Sequence, residues 1–128
     1  MPLISKTGLL LLGHGSRDPH WREPMNKMQQ ALQKQKPDLA IQCAYLELCE
    51  PSLEDAAAIL LQQDSKLGKI VIYPVFIGMG THTKEDLPHL KDKLAHQYPN
   101  VQWSLAPALG TDERLIDLVA AITKEWTE

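Results

Sequence analysis

Cysteine is scarce in this chain: Cys43 and Cys49 are its only two in 128 residues, and they do not form a C-x-x-C pair. Two thiols make neither a zinc knuckle nor a disulfide framework, and this usage fits a reducing cytoplasm. An excess of one charge is lacking too. Thirteen Lys and Arg against sixteen Asp and Glu leave a formal charge of −3, too small for a polyanion-binding module or an acidic tail, which makes nucleic acid a poor partner. Long apolar runs are also missing. The opening stretch MPLISKTGLLLLG holds one lysine and an apolar run only from Gly8 to Leu12, well short of a signal-peptide core or a membrane span. The expectation is a soluble, unexported chain. Its 44% apolar content is ordinary, and 128 residues make one domain, 1–128, able to bury roughly two-thirds of its unfolded surface.

What is present is a regular alternation. Gly8–Leu12 reads as a strand, and Trp21, Met25, Met28 and Leu32 follow at helical spacing until Pro37, with the two methionines as core packing. Ala40–Leu46 is a second strand, followed by a helix opened by Pro51 and Ser52. Leu53, Ala56, Ala57, Leu60 and Leu61 lie on one face of that helix, and Ser52 with Asp55 fits a capping-box-like pattern. Ile70–Ile77 is a third strand. Leu87, Leu90 and Leu94 mark the next helix, which is given a cap at Asp86 because Pro88 would clash inside a helix begun at Lys84; His82 is thereby left on a loop. Val101–Leu105 is a fourth strand, and Thr111 caps a last helix whose buried stripe is Leu115, Leu118, Val119, Ile122 and Trp126.

Four β-α units in strict alternation imply an α/β fold with a parallel sheet covered by helices on both faces. The first and third strands are near-continuous apolar runs, as central strands are, whereas the second and fourth alternate, as edges do. This gives the order 2-1-3-4. Pro74 inside the third strand is compatible with a position near that strand's end or at a bulge. The topological switch then falls between strands 1 and 3, where ligands bind outside the carboxyl ends. The loops at that point are GHGSRD and GMGTHTKED.

Each loop carries a histidine beside glycine or close to it, His14 and His82, and the loop after strand 2, LELCEP, adds Glu47 and Glu50. Two imidazoles and a carboxylate suit Zn²⁺, Fe²⁺, Co²⁺, Ni²⁺ or Cu²⁺ while leaving positions open for a substrate. His20, His89 and His96 fall on helices and are read as structural or solvent-exposed. Glu50 before Pro51 favours a helix N-terminus, and Cys49 is read as a small thiol rather than a ligand. Arg17 and Lys84 directly follow the site loops, as binders of substrate carboxylates or as solvated charges.

Taken together, LLLLGHGSRD, YLELCEPSL, PVFIGMGTHTKEDLP and APALGTDERL resemble the short form of the CbiX/SirB class II chelatases, from about Leu9 to Leu118. That family inserts a divalent metal into sirohydrochlorin. The resemblance implies a flavodoxin-like chelatase half-domain, a homodimer, no prosthetic group, and Co²⁺, Fe²⁺ or Ni²⁺ as substrate on the way to cobalamin or sirohaem. It also implies that His14, His82 and Glu47 are the catalytic and metal-binding residues, with Arg17, Lys84, Ser16 and Thr81 binding the macrocycle. Thr81 stands where members often have glycine. Insertion removes two pyrrole protons and exchanges the metal's ligands stepwise, so the site must hold metal weakly enough to release it, and a histidine can accept a proton near neutral pH. Two other classes compete. A histidine phosphotransferase would need an arginine before the histidine, where this chain has Gly13. A non-enzymatic metal- or tetrapyrrole-binding protein would keep the same residues for binding alone.

Overall fold

A computed structural model describes residues 6–128, so the part of the N-terminal reading that falls on residues 1–5 lies outside the described residues. Leucine at four successive positions puts apolar side chains on both sides of a strand, which a sheet tolerates only where both faces are covered. Those leucines lie in β1 (Lys6–Gly13), at the centre. A 3₁₀ turn (Pro19–Arg22) leads into α1 (Glu23–Gln35), followed by β2 (Ala40–Tyr45), α2 (Leu53–Gln63), β3 (Leu67–Pro74), α3 (Thr81–Gln97) and β4 (Gln102–Leu105). A second 3₁₀ turn (Leu109–Thr111) precedes α4 (Glu113–Thr127). All pairings are parallel and the order is β2-β1-β3-β4, the order the apolar patterns predict.

Alternate leucines of β1 feed two cores. Leu10 and Leu12 join Ile70 and Ile72 of β3, Leu60 of α2 and Leu94 of α3 on one face. Leu11 joins Ile41, Cys43 and Tyr45 of β2 and Met25 of α1 on the other. Ser52 caps α2, its hydroxyl accepting from the Asp55 N–H at 3.1 Å, as the capping pattern predicts. Met25 is buried, but Met28 is 39% exposed. The helical spacing placed Met28 in the core, whereas the solvent edge of α1 begins there.

Three further expectations are corrected. β3 starts at Leu67, earlier than expected, and ends at Pro74 rather than Ile77; a proline has no N–H for the ladder, so the strand closes on it. α3 begins at Thr81, not at Asp86, and runs through Pro88. The ring deprives the Lys84 carbonyl of its intrahelical partner, yet the buried Leu87 and Leu94 hold the helix on the sheet. His82 therefore sits in a first helical turn and not on a loop.

The third correction concerns the last helix. Asp112, not Thr111, caps α4, its carboxylate accepting from the Arg114 N–H at 2.9 Å, while the Thr111 hydroxyl donates to the Ala108 carbonyl at 2.7 Å. The apolar stripe exists but is not buried: α4 has no buried residue, and Leu118, Val119 and Trp126 are 54%, 53% and 76% exposed. Periodicity records that a face requires cover. It does not record which chain supplies the cover.

Asp112 gives a test of that cap. The Arg114 guanidinium and N–H lower its carboxyl from the usual value to about 2. A group whose pKa is depressed on folding contributes above its unfolded value and is lost as pH falls through its folded one. The difference in helix content between the parent chain and Asp112→Ala, followed by circular dichroism, is expected to be full above about pH 4 and to shrink towards pH 2. A difference that stays constant over that range would remove the charge from the cap's contribution.

Candidate functional site

The site is built where the strands run out. The β1–β2 ladder continues past its last strand residues: the Leu46 N–H donates to the Gly13 carbonyl and the Glu47 N–H to the His14 carbonyl, both at 3.0 Å. The backbones that carry His14 and Glu47 are therefore fixed relative to each other. Gly15 makes this possible. Its φ is +105°, and a Cβ there would overlap the Glu47 carbonyl oxygen, so only glycine fits. Leu48 takes φ +68° in the turn that follows, and the Tyr45 N–H closes the loop by donating to the Pro51 carbonyl at 2.9 Å.

The His14 ring lies on Phe76, with centroids 4.1 Å apart and planes inclined by 24°. Phe76 is only 2% exposed and lies two residues past the end of β3. One face of the imidazole is covered by a buried ring, so the histidine is held at the surface with its edge free. His14 and Glu47 share a cavity of about 400 Å³ with Leu46, Thr83, Asp86, His89 and Leu90. Two of its walls are thus strand-end loops, and the third is one face of α3.

His14 and Glu47 are brought to one cavity as expected. His82, Thr81 and Lys84 are exposed on the first turn of α3 and do not line it. Arg17 is exposed on the loop after His14, and the Ser16 hydroxyl accepts from the Asp18 N–H at 3.1 Å. Among the described residues, no three His, Cys, Asp or Glu side chains are placed to hold a metal ion together. The thiol at Cys43 is pushed up by burial, and the Tyr45 phenol is raised to about 12, mainly by burial. Neither supplies an anion at neutral pH.

Sequence reasoning missed Phe76, Thr83, Asp86 and His89. The first had a signal, because it is the only phenylalanine in the chain. The other three lie on successive turns of α3, and that face becomes visible only once the helix is begun at Thr81. Starting it at Asp86 removed Thr83 from the helix and left His89 without companions.

The CbiX family model matches residues 8–125. The chain is 30% identical over 125 residues to a sirohydrochlorin cobaltochelatase of Methanococcoides burtonii, covering 91% of this chain and 94% of that one. It is 34% identical over 82 residues to a sirohydrochlorin cobaltochelatase of Methanopyrus kandleri, covering 64% of this chain and 56% of that one. In three dimensions it resembles a CbiX protein from Marinobacter aquaeolei VT8, with a TM-score of 0.78, 29% identity, and 93% and 95% of the two chains covered.

Proposed function

The chain belongs to the CbiX family, and from that premise we propose that it is a chelatase inserting Co²⁺ or Fe²⁺ into sirohydrochlorin, towards cobalamin or sirohaem. The observation that carries this reading is the placing of His14 and Glu47 on one cavity at the β1/β3 switch point, locked by main-chain hydrogen bonds. One chelatase domain spans residues 1–128 and works as a homodimer in the cytoplasm. Two free cysteines support that compartment. Among the described residues, no helix is long and apolar enough to cross a membrane.

The metal is a substrate, so the protein must both take it and let it go. An imidazole edge and a carboxylate bind a divalent ion while leaving most of its coordination positions open. Ring nitrogens can then replace water and protein ligands one at a time. His14, freed as the metal passes to the macrocycle, is placed to accept a pyrrole proton. His82 joins the metal's path from the first turn of α3. Ser16, Arg17, Thr81 and Lys84 flank the same edge and are suited to the carboxylates around the macrocycle, by hydroxyl donation and charge-assisted hydrogen bonds. Co²⁺, Fe²⁺ and Ni²⁺ share a taste for imidazole and carboxylate, so supply as well as affinity sets the choice among them.

The test is an anaerobic absorbance assay of purified protein with sirohydrochlorin and each of the three metals, beside protein-free controls. Multiple turnovers per chain with Co²⁺ or Fe²⁺ are expected. Stoichiometric binding of metal or macrocycle without product above the control would replace the enzyme with a binding protein.

A further inference from the structure

The cavity that holds His14 and Glu47 has a second wall of the same chemistry. That wall is α3, which presents Asp86 and His89 to the same space of about 400 Å³. Three positions apart on a helix, the two side chains stand on one face with Cβ atoms roughly 5–6 Å apart. An acidic residue three positions before a histidine is a pair with which helix bundles hold divalent metals. Leu87 is 2% exposed and Leu90 packs against the same core, so the pair is carried on an anchored turn and not on a loop.

Charge selects the ligand. With Glu47 opposite Asp86, the lining carries two carboxylates and two imidazoles, and among the described residues that form it there is no lysine or arginine. Such a space draws cations and repels the carboxylates of a macrocycle. Lys93, one turn beyond His89, is matched by Glu54 of α2 at 2.7 Å. The mixed donor set narrows the class further, because imidazole with carboxylate suits Fe²⁺, Co²⁺, Ni²⁺ or Zn²⁺, whereas Mg²⁺ and Ca²⁺ prefer oxygen alone. Room is sufficient. Six waters around an ion occupy roughly 180 Å³, less than the cavity holds.

We propose that Asp86 and His89 form a capture site for a divalent transition-metal ion, which passes from there across the cavity to His14 and Glu47. The inference rests on the reading of this cavity as a place where metal is handled, and adds the step by which the ion arrives. Each wall supplies two ligands, and among the described residues no three are placed on one ion, so either pair holds the metal with most of its coordination positions left to water. Transfer is then a substitution. An imidazole nitrogen of His14 or a carboxylate oxygen of Glu47 displaces a bound water, and the bonds to Asp86 and His89 break afterwards.

Other histidines of the chain also stand near an acidic residue, but in a different setting. His20 and Glu23 are 3.2 Å apart with side chains 85% and 61% exposed, turned to solvent. Asp92 and His96 line a recess shared with Ala95. The α3 pair is distinguished by the second imidazole and carboxylate that face it.

Zn²⁺ tests this without macrocycle, so the outcome does not depend on chelatase activity; being diamagnetic, it leaves imidazole nitrogen resonances visible. In an isotope-labelled His14→Ala/Glu47→Gln chain, Zn²⁺ is expected to move the ring-nitrogen resonances of His89, assigned by their loss in His89→Ala, while those of His20 stay in place. Adding Asp86→Asn or His89→Ala to the same background should weaken Zn²⁺ binding, measured by competition with a chromophoric chelator, by about tenfold or more. Unmoved His89 resonances, or binding undiminished without His89, would overturn the capture site, and a shift of His82 in place of His89 would move the ion's arrival to the first turn of α3. Zn²⁺ bound at His89 beside a sirohydrochlorin assay that yields no product would leave the site standing and remove the chelatase reading alone.

Discussion

His14→Ala is expected to slow metal insertion by about 10²–10⁴-fold while leaving the urea midpoint nearly unchanged. The two halves of this expectation have separate causes. The imidazole is the one group held both by backbone bonds to the Glu47 loop and by a stacked ring beneath it, so its loss takes away a placed ligand and a placed base together. The side chain is nevertheless exposed, and removing an exposed side chain costs roughly 0.5 kcal/mol or less. Initial rates of the anaerobic assay and a denaturation curve on the same preparation check both. A rate within a fewfold of the parent chain would take His14 off the metal's path and leave the cavity's function to its α3 wall.

Gly15→Ala is expected to be the most damaging single methyl in the site. The new Cβ would overlap the Glu47 carbonyl oxygen at a φ of +105°, so the residue meets an unfavourable dihedral and a clash with rigid main chain together. A destabilisation of at least about 2 kcal/mol should follow, read as a lowered urea midpoint. Insertion activity should fall further than stability explains, because the atom displaced belongs to the residue opposite His14. Gly78→Ala is the control: a Cβ there meets nothing within 4 Å, and the substitution should be neutral or stabilising by a few tenths of a kcal/mol. Equal midpoints for the two variants would mean that the Gly13–Gly15 loop rearranges freely, and the main-chain lock on His14 would lose its meaning.

Most of the architecture was legible because its signals are local. Apolar runs against alternating patterns placed β1 and β3 inside and β2 and β4 at the edges, and Ser52 marked the start of α2 at the residue where it begins. Proline was the main source of error, and in two opposite senses. At Pro74 the missing N–H ended a strand, while at Pro88 packing of Leu87 and Leu94 outweighed the lost hydrogen bond. A single sequence cannot weigh one hydrogen bond against two buried leucines. The site followed the same division: glycine and the strand ends pointed to His14 and to the loop that holds Glu47 and Glu50, the resemblance singled out Glu47, and Asp86 and His89 depended on where α3 starts. For α4 the stripe was read correctly and its burial was not, since apolar spacing is the same whether or not this chain covers the face.

The four-residue length of β4 and two glutamines of α1 have a bearing on solubility. Gln29 donates to the Ile41 carbonyl, and Gln33 to the carbonyls of Pro37 and Leu39, so one acceptor of β2 and two in the turn before it are already engaged. A short strand at one border and occupied carbonyls at the other leave little for a foreign strand to pair with. The apolar surface that α4 leaves uncovered is helical, and so offers a foreign strand no backbone groups to pair with.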